Sequence, residues 1–120
     1  MHACYNPPVW TVRILDPADS EYQALPRLEK GAMTHAMEKL EALGPNLPYP
    51  HSSDVQGAGG IRELRPRAGR SPWRAFYRRI GDEMVIGSIG PEAEANPTGF
   101  TRAVRAAHQR LDDAETRAPQ

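Results

Sequence analysis

Between Glu63 and Arg79 the chain reads ELRPRAGRSPWRAFYRR, with six arginines among seventeen residues and one acid. The whole chain is neutral, with 15 Lys+Arg against 15 Asp+Glu, so positive charge is gathered here rather than spread. A guanidinium fork matches phosphate or carboxylate oxygens two at a time. Trp73, Phe76 and Tyr77 are interleaved with the arginines, and a basic surface with exposed rings suits a phosphodiester backbone with a stacked base. Guanidinium beside phosphate also stabilises the charge that builds during phosphoryl transfer. Arg62, Arg65, Arg67, Arg70, Arg74, Arg78 and Arg79 are therefore candidate contacts to an anionic partner, either nucleic acid or an acidic segment of another protein. The plainer alternative is a solvated face that keeps a sheet edge soluble. Thirteen of the fifteen bases are arginine, a bias that GC-rich coding sequence also produces.

Position decides between these readings. Ile61–Arg65, Trp73–Ile80 and Met84–Ile89 read as strands joined by RAGRSP and GDE, which predicts an antiparallel meander. Side chains alternate across a strand. Trp73, Ala75 and Tyr77 then share one face, and Arg74, Phe76 and Arg78 the other. If Tyr77 faces the helices, Arg74 and Arg78 project from the open face with Phe76 between them. Leu64 in the core places Glu63 and Arg65 beside Arg74. The expectation is that several guanidiniums converge on one exposed side of the sheet. Guanidiniums splayed apart, or bound by carboxylates of the same chain, do not make a nuclease site.

The other elements follow from periodicity. Val9–Leu15 reads as a strand, with Trp10, Val12 and Ile14 alternating. Asp16 or Asp19 is the expected cap of a helical stretch running from Ala18 to Leu43 and broken near Pro26. Leu28, Met33, Met37, Leu40 and Leu43 form its apolar stripe, and Gly44-Pro45 ends it. Residues 45–60, with three prolines and three glycines, read as a loop. Asn96 caps a last helix with Pro97 in its first turn, and Phe100, Val104, Ala107 and Leu111 form its stripe. The order β-α-α-β-β-β-α predicts a single α+β domain over residues 1–120, a small antiparallel sheet with helices packed on one face. Residues 1–9 read as an N-terminal arm and 112–120 as a frayed tail.

Composition narrows the chemistry. Cys4 is the lone cysteine, so no disulfide forms within the chain. His2, His35, His51 and His108 share no ligand spacing with one another or with Cys4, so neither a metal site nor a cofactor is expected. Gly57–Gly60 lacks the Lys-Ser/Thr ending of a phosphate loop. No apolar run approaches the roughly 18–20 residues that span a membrane, and a cytoplasmic location is expected. His108 borders the stripe of the last helix, where it either packs at the helix edge or serves as acid to a leaving 5′-oxygen.

The segments GAGGIRELR, WRAFYRR and MVIGSIGPEAEANP, followed by FTRAVRAAHQRL, resemble the RelE/HigB superfamily of toxins from type II toxin–antitoxin pairs, in its phage-associated HigB-like branch. The resemblance spans roughly residues 10–111. It implies a ribosome-dependent mRNA endonuclease in which a 2′-hydroxyl attacks the neighbouring phosphate without a metal. It implies a cognate helix-turn-helix antitoxin as partner, alongside the ribosome and mRNA. Carried over by motif, Arg65 and Arg74 would hold the scissile phosphate, with Arg78 beside them. Glu63 would lie where a general base could act. Arg62, Arg67, Arg70, Phe76 and Arg79 would bind RNA. One departure stands out. The loop before the last helix is often lysine-rich in that superfamily, but here it is GPEAEANP, with Glu92 and Glu94 and no base. A non-catalytic module binding an acidic partner, and a relative that targets DNA gyrase, are the other readings.

Overall fold

The computed structural model describes residues 10–117. In chain order these form β1 (Thr11–Ile14), α1 (Asp16–Gln23), α2 (Arg27–Leu43), β2 (Ser52–Asp54), β3 (Arg62–Leu64), β4 (Trp73–Ile80), β5 (Glu83–Pro91) and α3 (Pro97–Arg117). The α+β class and the β3-β4-β5 antiparallel meander are as expected. The sheet has five strands in the order β1-β5-β4-β3-β2. It is mixed rather than antiparallel throughout, because β1 pairs parallel to β5 with Val12 opposite Met84. An unexpected strand, β2, arises within residues 45–60 and extends the other edge, with Ser52 opposite Leu64.

The helices also lie on both faces of the sheet, not on one. On the first face α1 and α2 cover Leu64, Ala75, Tyr77, Met84, Ile86 and Ile89, burying Met33, Met37 and Leu40. On the second face α3 covers Phe76 and Val85 with Ala103, Ala107 and Leu111. Small residues allow this approach. A Cβ at Gly87 would lie 2.7 Å from Leu111 Cγ. Gly87 is the extra residue of a bulge, since Phe76 pairs with Ser88 and Tyr77 with Ile86. The bulge turns Gly87 and Ser88 together toward α3, where Ser88 Oγ donates to the Ala103 carbonyl at 2.6 Å. Phe100 meets Phe76 edge-on at 5.4 Å, which seals the second face.

Pro26 separates α1 from α2, and the Asn96 side chain accepts from Gly99 N at 2.9 Å, as the sequence predicts. Leu15, not an aspartate, precedes α1; Asp16 and Asp19 instead sit in its first turn, where they complement the helix dipole. Leu28 is 77% exposed rather than part of the core stripe. Residues 112–117 are helical rather than frayed, because Asp112 and Glu115 bond to β4. Val9, Cys4, His2 and the proposed arm at 1–9 lie outside the described residues, as do residues 118–120.

Candidate functional site

The arginines of the central strands do not converge. β3 pairs with β4 so that Glu63 lies opposite Phe76. Near the start of β4, Glu63 lies between two guanidiniums. Arg65 Nη1 donates to Glu63 Oε2 at 2.9 Å, and Arg74 Nε lies 3.6 Å from Glu63 Oε1. Arg65 is fixed further by donating through Nε to the Pro50 carbonyl at 2.9 Å. Its guanidinium lies 5.2 Å over the ring of Tyr49, which is 70% exposed. Glu63 and Arg65 keep part of their side chains accessible.

A turn wraps this pair. Arg67 and Ala68 adopt φ values of 54° and 55°, in the left-handed region where residues with a Cβ are strained. Gly69 follows at φ 93°, and a Cβ there would stand 2.5 Å from Arg65 Nη2. Only glycine lets the turn close over the Arg65 guanidinium. The strained turn is held by Arg67 Nη1, which donates to Glu29 Oε2 at 2.7 Å, and by Ser71 Oγ, which donates to Glu29 Oε1 at 2.7 Å. Those bonds hold the Glu29 carboxyl below its usual range.

Arg74 does not project from an open face; it is 3% exposed. Its Nη1 donates to the carbonyls of Ser71 at 2.7 Å and Trp73 at 3.0 Å, and its Nη2 to that of Gly69 at 3.3 Å. It ties the turn to β4. Burial, and then the charge of Arg65, hold its pKa below the ordinary arginine value against the pull of Glu63 and Glu92. Arg74 is thus placed to position Glu63 and the turn rather than to touch a bound strand.

Arg78 lies four residues further along β4, roughly 13 Å at strand rise, and α3 comes down over it. Arg78 Nη1 donates to Asp112 Oδ1 at 2.8 Å and Glu115 Oε1 at 3.1 Å. The Arg78 bond, chiefly, holds the Asp112 carboxyl below its usual range, and His108 adds to it. His108 Nδ1 lies 3.1 Å from Asp112 Oδ2. Phe76, expected as an exposed ring between the arginines, is fully buried under Phe100. The expectation of an open arginine face fails because α3 occupies that face.

The remaining candidates scatter. Arg62 Nε donates to Ser52 Oγ at 3.0 Å, and that hydroxyl also bonds Tyr77 OH at 2.5 Å inside the core. Arg79 lies 4.8 Å over the Trp10 ring and donates to the Gly81 carbonyl. Arg70 is exposed and makes no side-chain hydrogen bond or ion pair among the described residues. The acidic loop is less hostile to an anion than its composition suggests. Glu92 turns its carboxylate back onto the amides of Glu94 and Ala95. Sequence reasoning missed Tyr49, whose signal was an aromatic residue stranded in a proline-rich loop, and Glu29, read only as helix surface. Among the described residues no group of three His, Cys, Asp or Glu comes together to hold a metal ion, and no helix is long and apolar enough to cross a membrane.

Residues 20–87 match the family of phage-derived Gp49-like proteins. This chain belongs to that family. The matched stretch carries α2, the strained turn and all of β3 and β4, and it stops before the acidic loop. The free-state structure of a double arginine-to-alanine mutant of the Escherichia coli toxin RelE superposes with a TM-score of 0.59 at 16% identity, covering 81% of this chain and 96% of that one. At this identity the likeness is one of fold, and the resemblance to RelE-like toxins read from the strands holds at that level. No curated protein matches the sequence.

Proposed function

We propose that this Gp49-like protein is the toxin of a type II toxin–antitoxin pair and cleaves mRNA on the ribosome, in the cytoplasm, until a cognate helix-turn-helix antitoxin neutralises it. The observation that carries this reading is the Glu63–Arg65 pair, partly accessible, with the exposed Tyr49 ring stacked on the guanidinium. A base on Tyr49 would set its phosphate against Arg65. The 2′-oxygen forms a bond to that phosphorus, the bond from phosphorus to the 5′-oxygen breaks, and a cyclic phosphate and a 5′-hydroxyl result. Glu63 stands where it can receive the 2′ proton, and Arg65 faces the charge that builds on the phosphoryl oxygens. Arg74 acts through Glu63 and the turn.

The test is mRNA integrity in a translating extract. The wild-type protein should cut within codons. Arg65→Ala should slow cutting by on the order of 100-fold, whereas Arg78→Met should leave it within a few-fold. Intact mRNA with wild-type protein sinks the nuclease reading. A second reading, a non-catalytic module that binds an acidic partner, is favoured by one observation: Arg65, Arg67, Arg74 and Arg78 each already face a carboxylate of the same chain. Intact mRNA together with tight binding to a partner protein would support it.

A further inference from the structure

A second basic surface lies beside the Glu63–Arg65 pair, on the α2 side of the sheet. One face of α2 and the edge formed by β3 and the strained turn enclose a groove of about 380 Å³. Six of its lining side chains, Arg27, His35, Lys39, His51, Arg65 and Arg67, are basic or imidazole, and none is a carboxylate. The acids paired with three of them, Glu38, Glu63 and Glu29, lie outside the lining. The α2 N-terminus, at Arg27, has no side-chain cap, so its free amides add partial positive charge at that end. The floor is apolar: Ala32, Ala36 and Leu64.

The groove exists because α2 is narrow there. Gly31 stands inside a seventeen-residue helix, where glycine costs stability relative to alanine. Its φ is not in the left-handed region, and a Cβ would meet nothing within 4 Å. Neither the backbone nor packing within the chain requires glycine at this position. What the missing side chain leaves is open room in the groove.

We propose that this groove holds the backbone of single-stranded RNA, with Arg27, Lys39, Arg65 and Arg67 meeting phosphates and Tyr49 receiving a base at the rim. The identity of the polyanion rests on the nuclease reading above; the site itself does not. An apolar floor under a basic rim, ending at an exposed ring, suits alternating sugar-base and phosphate better than it suits an acidic peptide, which would leave the ring and floor unused.

The probe is a short labelled single-stranded RNA, followed by fluorescence anisotropy without ribosomes. Gly31→Leu fills the groove without a clash and removes no charge. It should weaken binding at least tenfold while circular dichroism and thermal melting stay native-like. Arg27→Ala/Lys39→Ala should also weaken it at least tenfold, and should lower the slope of log K against log salt by about 2. Arg13→Ala, paired with Glu83 at the far edge, should change nothing. Undetectable binding by the wild type, or unaltered binding by Gly31→Leu, overturns the proposal. So does stronger competition from polyglutamate than from polyuridine, which would give the groove to an acidic protein. The two readings fail separately. Loss of RNA binding in Gly31→Leu with no mRNA cleavage by the wild type keeps the groove and removes the nuclease; cleavage with unaltered Gly31→Leu binding does the reverse.

Discussion

The two ends of β4 carry the same residue type on the same face, yet they differ in what they can do. At one end Arg74 is consumed by three backbone carbonyls and a shared carboxylate, and in holding them it leaves Arg65 at the surface beside an exposed ring. At the other end Arg78 is covered by α3 and held by Asp112 and Glu115. Phe76 stands between them. Guanidinium density in a strand therefore does not define a binding face. The element packed over the strand decides, through the acids and rings it brings.

The sharpest way to break this contrast is to remove the divider. Phe76→Ala empties a fully buried site against Phe100 and should cost about 4 kcal/mol in urea denaturation; a loss under about 1 kcal/mol would mean that α3 is not seated on the sheet. Next is Arg74→Met, which leaves the Gly69, Ser71 and Trp73 carbonyls without their donor and Glu63 with one partner fewer. It should cost about 3 kcal/mol, and Arg74→Lys should not restore it, since one ammonium cannot span the same carbonyls. Tyr77→Phe removes the buried hydroxyl that bonds Ser52 and should cost about 1 kcal/mol, with no effect at either end of the strand.

The smallest effect is one of pH. Asp112 and Glu29 are held below their usual values by Arg78, and by Arg67 with Ser71. A carboxyl bound more strongly as the anion in the folded chain adds stability above its unfolded value and loses it as pH falls through its folded value. Melting temperature should therefore drop from about pH 4 downward, and Asp112→Asn/Glu29→Gln should flatten that decline. An identical acid limb in the variant would show that neither end of β4 depends on its carboxylate.

Much of this was legible in the sequence. Strong alternation marked β4 to its exact ends, and Asn96-Pro97 marked the start of α3. The core placement of Tyr77, Met33 and Met37 also followed from period alone. What was not legible depended on distant partners. Ser52–Asp54 carries no strand signal, because a three-residue edge strand is made by pairing with β3 and not by its own composition. Phe76 between two arginines reads as a surface ring unless Phe100 is known to close over it. The acids that hold Arg78 lie 34 and 37 residues away, on a helix whose side of the sheet depends on the bulge at Gly87. The groove escaped notice because its residues come from α2, His51 and the turn, and its opening depends on a side chain that is absent.

The parallel seating of β1 on β5 has a kinetic consequence. Arg13 and Glu83 meet across seventy residues, a closure that is slow to find by chance and gains nothing until the hairpin of β4 and β5 already offers an edge. The amino-terminal strand should thus dock late, as a clasp on a preformed hairpin, and its amides should exchange with deuterium sooner than those at the centre of β4.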